Sequence, residues 1–258
     1  MKYNSNIINL EHLDAKALYF VGDIHGEFQT FRHLIKQHDI VDAIIVLCGD
    51  IGMGFYKPGY YVTEIGEVCN TLVHRHIHVV ALRGNHDDPK YFTNHLEQIC
   101  PQLYHDYPNW IFAEDYDLIL TKFGNILCIG GGVSVDRTNR LKNFNQGYWE
   151  GENVKPLSKR VFDRLKLFDI NIVASHDAPT FTLPFTVGQV VLDWQKYDKY
   201  VRMDCEDERL LLQDTFELIK ENWSISDWYY GHFHDSYYYV EQFVRFHGLN
   251  CKEFKEFR

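Results

Sequence analysis

Residues 17–26 read Ala17-Leu18-Tyr19-Phe20-Val21-Gly22-Asp23-Ile24-His25-Gly26. The apolar run is strand-length and ends abruptly at a glycine followed by polar, chemically capable residues. The next segment, from about Glu27 to Gln37, places Phe28, Phe31, Leu34 and Ile35 on one helical face. The unit then repeats. Ala43 to Cys48 reads as a second buried strand ending at Gly49-Asp50, and a helix around Val62 to His74 leads to a third strand, His78 to Leu82, ending at Gly84-Asn85. Strand, helix, strand in this order implies parallel pairing through helical crossovers.

Beyond residue 100 the texture changes. Trp110 to Ala113, Asp117 to Thr121 and Asn125 to Ile129 read as three close strands, the last two joined as a hairpin by Lys122-Phe123-Gly124-Asn125. Gly130-Gly131-Gly132 closes the group, and a loop-rich stretch runs to about Pro156. A helix from Leu157 to Phe168 leads into a strand from Asn171 to Ala174, and a helix from about Glu208 to Glu221 into a strand from Asp227 to Tyr230. Tyr237 to Val240 reads as a final antiparallel strand. Residues 177–206 show no period and are expected to form a long excursion over the surface. No repeat, low-complexity tract or linker divides the chain, so residues 1–258 are expected to form a single domain.

Composition narrows the function. The chain has 258 residues with 5 Trp, 17 Tyr and 18 Phe, far too aromatic for a disordered polymer. Its net charge of −10 argues against a broad basic surface for duplex nucleic acid. The six cysteines contain no Cys-x-x-Cys pair, and Cys48 and Cys128 sit inside apolar runs, which points away from a disulfide framework and toward a reducing compartment. Met1 to Asp14 is polar, without the apolar core of a signal peptide, and no stretch approaches 18 uncharged apolar residues. A cytoplasmic protein without membrane partners is expected.

Five apolar strands end in polar clusters: Gly22 to Gly26, Gly49-Asp50, Gly84-Asn85-His86-Asp87, Ser175-His176-Asp177, and Gly231-His232-Phe233-His234. Ligands of open α/β sheets bind beyond the carboxyl ends of strands, so the clusters are expected to converge. Taken singly, each is ordinary: a Gly-Asp after a strand is a common turn, and a lone His-x-His usually sits on the surface. Bland explanations would have to hold independently at five strand ends. The pooled donors, Asp23, His25, Asp50, Asn85, His176, His232 and His234, are oxygen and nitrogen ligands without a thiolate, a set suited to Mn, Fe, Zn, Co or Ni. The dense trio His74, His76 and His78 reads as a surface turn.

These blocks, in this order, resemble the calcineurin-like metallophosphoesterase superfamily, whose pattern is Gly-Asp-x-His, Gly-Asp, Gly-Asn-His-Asp/Glu, a lone His, and Gly-His-x-His. The resemblance implies an α/β fold of two mixed β-sheets packed as a sandwich and flanked by helices. It implies two divalent ions, one held by Asp23, His25 and His234, a second by Asn85, His176 and His232, with Asp50 bridging. A hydroxide shared by the two ions would attack a phosphoester, and His86 would protonate or stabilise the leaving oxygen. Asp87 is expected to brace its loop rather than orient His86.

The chain also departs from the protein Ser/Thr phosphatases of the superfamily. Met53 and Gly54 stand where that branch carries an aspartate and an arginine, so a substrate-binding arginine is sought elsewhere, and Arg137 in Gly130-Gly131-Gly132-Val133-Ser134-Val135-Asp136-Arg137 is the candidate. A surface ion pair for Arg137 is the competing expectation. Tyr148-Trp149-Glu150 reads as a packed loop that could reach the entrance. The expected activity is hydrolysis of a phosphomonoester on a small molecule, nucleotide or phosphoprotein. A phosphodiesterase or nucleotide polyphosphate hydrolase is the alternative within the enzyme class, and a non-catalytic interaction module on the same fold is the alternative outside it.

Overall fold

Buried apolar strands dictate the architecture. A computed structural model describes residues 7–142, 147–184 and 188–258. Its strands are β1 (Ile7–Asn9), β2 (Ala17–Val21), β3 (Ala43–Leu47), β4 (Ile77–Ala81), β5 (Trp110–Phe112), β6 (Leu118–Leu120), β7 (Ile126–Ile129), β8 (Ile172–Ser175), β9 (Asp227–Tyr230), β10 (Tyr237–Glu241), β11 (Val244–Gly248) and β12 (Phe254–Glu256). Its α-helices are α1 (Phe28–Gln37), α2 (Pro58–His74), α3 (Leu96–Ile99), α4 (Pro101–His105), α5 (Arg137–Lys142), α6 (Lys159–Leu165), α7 (Gln189–Trp194) and α8 (Val201–Asn222).

Two mixed sheets result. Five strands run in the order β12-β2-β3-β4-β5, and seven in the order β1-β6-β7-β8-β9-β11-β10. β2, β3, β4 and β5 pair in parallel, as do β7, β8 and β9. Both sheets thereby carry strands buried on both faces, the requirement that makes their sequences continuously apolar. β3 shows it most simply, since every residue from Ala43 to Leu47 is buried.

Side chains of each sheet alternate between a central core shared by both sheets and an outer core of its own. Leu18, Phe20, Ile44, Val46 and Val80 point inward and meet Ile119, Ile126, Cys128, Ile172 and Tyr229 of the other sheet. Phe20 and Tyr229 stack across this seam with centroids 3.8 Å apart. Ile45, Leu47, Val79 and Ala81 point outward, against Phe28, Phe31, Tyr61, Ile65 and Val68 of α1 and α2. Leu127, Val173, Trp228 and Phe246 cover the other outer face beneath Leu212, Phe216 and Ile219 of α8. Helix, sheet, sheet, helix is the layering, as expected for the two-sheet sandwich.

Several elements differ from the sequence expectation. β5 follows the first three parallel strands into the five-stranded sheet, while β6 and β7 form their hairpin in the other. β1, β11 and β12 are additional strands. The expected excursion over 177–206 is partly helical: α7 occupies 189–194 and α8 begins at Val201, while residues 185–187 of that stretch lie outside the described residues. α7 buries none of its side chains, so no apolar face marks it in the sequence. No helix among the described residues is long and apolar enough to cross a membrane.

Candidate metal centre

The five strand-end clusters meet at one end of the sandwich because β2, β3 and β4 in one sheet and β8 and β9 in the other present their carboxyl ends to the same place. Four predicted donors sit in the left-handed backbone region: His25 at φ 46°, Asp50 at 48°, His232 at 69° and His234 at 53°. Side chains rarely accept this conformation, which costs of order 1–3 kcal/mol per residue and concentrates at functional sites. Glycines allow the rest of the approach. Gly49 has φ 95° and lies so close that a Cβ there would overlap the His176 ring, and a Cβ on Gly84 would overlap the Asp50 carboxylate.

All seven predicted donors are brought together. Around Asp23, the His234 Nε2 atom lies 3.0 Å and the His25 Nε2 atom 3.6 Å from Oδ2. The two histidine Nε2 atoms are themselves 3.0 Å apart. Around Asp50, the His176 Nε2 atom lies 3.3 Å from Oδ1, and His25 Nδ1 and His86 Nε2 each lie 3.9 Å from Oδ2. His176 Nε2 is also 2.9 Å from Asn85 Oδ1 and 3.2 Å from His232 Nδ1. Asp50 therefore stands between a cluster with Asp23, His25 and His234 and a cluster with Asn85, His176 and His232.

Supporting hydrogen bonds aim these atoms. His176 Nδ1–H donates to the Cys48 carbonyl at 2.9 Å, which leaves the Nε2 lone pair facing inward. The Asn85 amide nitrogen donates to Ser134 Oγ at 3.1 Å, so its carbonyl oxygen faces the donors. Asp23 Oδ1 accepts from the His232 backbone N–H, and Asp50 Oδ1 from that of His86. Asp87 accepts four backbone N–H groups, those of Ile51, Gly52, Met53 and Gly84, and ties the β3 loop to the β4 loop. Both of its carboxylate oxygens are taken up by these loop N–H groups. Asp87→Asn presents an NH2 group to those donors, so the folding stability is expected to fall by about 3 kcal/mol or more. A urea midpoint unchanged from the parent protein would contradict that bracing role.

The residues fit a divalent-cation centre. Asp23 Oδ2 is fully buried and makes no aligned hydrogen bond, although His234 Nε2 lies 3.0 Å away. Burial raises the Asp23 carboxyl, but His234, His176 and His25 outweigh it and hold it down at about 2. Burial foremost, then the charges of Asp23 and Asp87 against the pull of His176, pushes Asp50 up to about 7. Two carboxylates crowded by imidazole lone pairs make a donor set short of positive charge, which divalent ions would supply.

Arg137 is placed elsewhere. Its guanidinium pairs with Asp198 at 2.7 Å and with Asp204, between α5 and the start of α8. Two acids on the same segment draw it away from the donors, so the ion-pair expectation describes it. Arg140, one helical turn on, reaches the centre instead: its Nη2 lies 2.7 Å from His86 Nε2, and the guanidinium is held by Asp136, Ser134 and the Gly147 carbonyl. Burial first, then the Arg140 charge, drives His86 down to about 2. Arg83 is buried and committed to Asp115 and the carbonyls of Glu152 and Asn153. Trp149 packs 5.2 Å from the Phe55 ring, which lies 6.0 Å from His86. His76 pairs with Asp42 at the opposite end of the β-strands, away from the donors.

A cleft of about 600 Å³ opens over Asp50, Asn85, His86, His232 and His234. Its far wall is apolar, built by Val190, Val191 and Trp194 of α7 with Phe233 and Tyr237. Arg209 also lines it, but its N–H groups are spent on the carbonyls of Ala178, Pro179, Thr182 and Pro184. Cys251, which was not foreseen, joins Asp23, His25 and His234.

Comparison with curated proteins finds no match. Among solved structures, the TT1561 protein of Thermus thermophilus superimposes with a TM-score of 0.53 at 10% identity, covering 94% of this chain and 99% of that one. A phosphopantetheinyl hydrolase from Mycobacterium tuberculosis (TM-score 0.48, 13% identity, 93% and 91% covered) and a dimetal phosphatase from Danio rerio (0.49, 10%, 91% and 88%) are more distant in shape. The TT1561 likeness shows the fold alone. The calcineurin-like phosphoesterase profile matches residues 17–236, spanning all five strand-end clusters, and the chain belongs to that family.

Proposed function

We propose that this protein is a dinuclear metal-dependent phosphohydrolase acting on phosphomonoesters. The observation that carries the reading is the convergence of seven donors from five strand ends, four of them in strained backbone, around a central Asp50. Asp23, His25 and His234 would hold one ion, Asn85, His176 and His232 the other, and Asp50 both. Bound ions of this kind supply a nucleophile at neutral pH and offset phosphoryl charge.

The chain's own residues supply the rest. The buried Arg140 guanidinium, held by Asp136, Ser134 and Gly147 and turned to His86 in the cleft, would bring its positive charge to the phosphoryl group in the role first sought at Arg137. Both His86 nitrogens lie against Arg140 Nη2, Nε2 at 2.7 Å and Nδ1 at 3.2 Å; guanidinium is a donor only, so one of them accepts and the neutral ring carries its single N–H on the other. That N–H is what the ring would offer the leaving oxygen once substrate lies beside Arg140. The apolar wall and the Phe55–Trp149 edge beside His86 suit an organic, and in particular an aryl, leaving group. With Arg209 spent on carbonyls, the described residues lining the cleft form no basic track for a polynucleotide.

Chelation tests the reading. Protein treated with a chelator is expected to lose aryl phosphate hydrolysis to background and to recover it on adding Mn, Zn or Co. Unchanged turnover by metal-free protein would refute it. Rates compared on an aryl phosphate, a bis-aryl phosphate, a phosphopeptide and a dinucleoside polyphosphate then separate monoesterase from diesterase and anhydride hydrolase. An interaction module would bind no ions.

A further inference from the structure

We infer that Cys251 is a thiolate ligand of the first ion, which makes the two metal positions chemically unequal. The inference rests on the dinuclear reading above and concerns a residue beyond position 236, where the family match ends. One ligand atom each from Asp23, His25, His234 and Cys251 lie within 4.8 Å of one another. Donors about 2.0–2.3 Å from a shared ion lie at most about 4.6 Å apart, so this group closes on an ion with small adjustments. The Asp23 oxygen that faces His234 and His25, Oδ2, is the buried one without an aligned hydrogen bond.

The backbone holds Cys251 there. The turn that carries it is stitched to the strand end that carries Asp23: the Lys252 N–H donates to the Asp23 carbonyl at 3.0 Å, and the Gly22 N–H to the Glu253 carbonyl at 3.2 Å. Leu249 N–H donates to the Tyr230 carbonyl at 2.9 Å, fastening the same turn to the strand that precedes His232 and His234. Antiparallel pairing of Phe254 with Val21 continues the register. Gly22 lacks a Cβ where one would overlap the Asn250 carbonyl, which lets the turn approach this closely. Lys252 takes φ 58° to complete it and reaches Glu27 at 2.7 Å.

The consequence is selectivity. The thiolate, beside two imidazoles, the Asp23 carboxylate and the shared Asp50, favours Zn, Fe or Co, whereas the second position, with only oxygen and nitrogen donors, accepts harder ions such as Mn. Binding exchanges the thiol proton for the ion and releases that proton to solvent.

X-ray absorption on the zinc-loaded full chain tests this. A sulfur shell at about 2.3 Å is expected in the parent protein and is expected to vanish in Cys251→Ser. Preference for zinc over manganese at the tighter position should fall at least about tenfold in the variant, since loss of groups that merely support a ligand already costs about 10–100-fold. Alkylation by iodoacetamide, located by mass spectrometry on the parent protein, avoids the variant: Cys251 should be modified in metal-free protein and protected by zinc. Zinc bound through nitrogen and oxygen alone overturns the thiolate assignment and leaves the dinuclear reading intact, as does a sulfur shell that survives in Cys251→Ser. A chain that binds no zinc overturns both.

Discussion

Asp50→Asn is expected to bind neither ion firmly and to lose about 10³-fold or more in kcat/KM on every phosphoester. The substitution keeps the side chain's shape and the hydrogen bond from the His86 N–H to Oδ1. It removes the negative charge that sits between the two clusters, with His176 Nε2 at 3.3 Å and His25 Nδ1 at 3.9 Å. In the metal-free protein a neutral residue at position 50 costs little, because burial already pushes this carboxyl up to about 7. The loss therefore falls on ion binding rather than folding. Metal catalysis is worth several kcal/mol and each ~1.36 kcal/mol is tenfold in rate, which sets the expected scale. Elemental analysis, thermal unfolding and kcat/KM measured on one preparation check all three statements. A variant that retains two ions per chain and stays within tenfold of the parent rate would remove Asp50 from the bridging position.

The centre is largely legible in the sequence because its chemistry is attached to strand ends. A buried parallel strand has to be continuously apolar, so the point where apolarity stops and a glycine appears marks the place where donors can emerge. Ala43 to Cys48 followed by Gly49-Asp50 is such a point, and all seven expected donors lie together in the structure. The elements that escaped detection lack that contrast. Val244 to Gly248 interleaves Arg245 and His247 with Val244 and Phe246, Phe254 to Glu256 is one aromatic followed by two charges, and α7 has no buried face. Which sheet β5 joins depends on pairing across the molecule, which local pattern does not encode.

Arg137 and Cys251 illustrate a further limit. Arg137 and Arg140 lie three residues apart on one short helix, and only the position of Asp198 and Asp204 on the neighbouring segment decides which arginine turns to the donors. Those acids are 61 and 67 residues distant in sequence. Cys251 reaches the centre through β12, whose pairing with β2 brings the end of the chain back beside Asp23. A lone cysteine after an asparagine carries no signal of that return. The reading of the donor set as free of thiolate followed from spacing within strand-end clusters, and Cys251 belongs to none of them.

His86→Asn separates leaving-group chemistry from metal assembly. His86 lies 3.9 Å from Asp50 Oδ2 and 2.7 Å from Arg140, and it is not among the seven donors, so the variant is expected to keep both ions. Hydrogen-bonded or proton-donating help to a leaving oxygen is typically worth about 10²–10⁴-fold, so kcat on an alkyl phosphate should fall by that order. An aryl phosphate with an acidic phenol develops a stable anion without help and should lose much less. Arg140 sharpens the expectation. Its charge, added to burial, drives the His86 imidazole down to about 2, so the neutral ring acts through its N–H. Between about pH 6 and 8, where an ordinary histidine titrates, the parent protein should therefore show no loss of alkyl phosphate turnover traceable to His86 deprotonation. Phosphate drawn beside Arg140 would offset that opposing charge, and a His86 titration appearing only in kcat, the parameter of the substrate complex, would mark full proton transfer instead. Equal slowing of alkyl and aryl phosphates by His86→Asn, with both ions retained, rules out any role at the leaving oxygen. Loss of an ion from the variant would instead place His86, with its Nε2 facing Asp50, among the ligands.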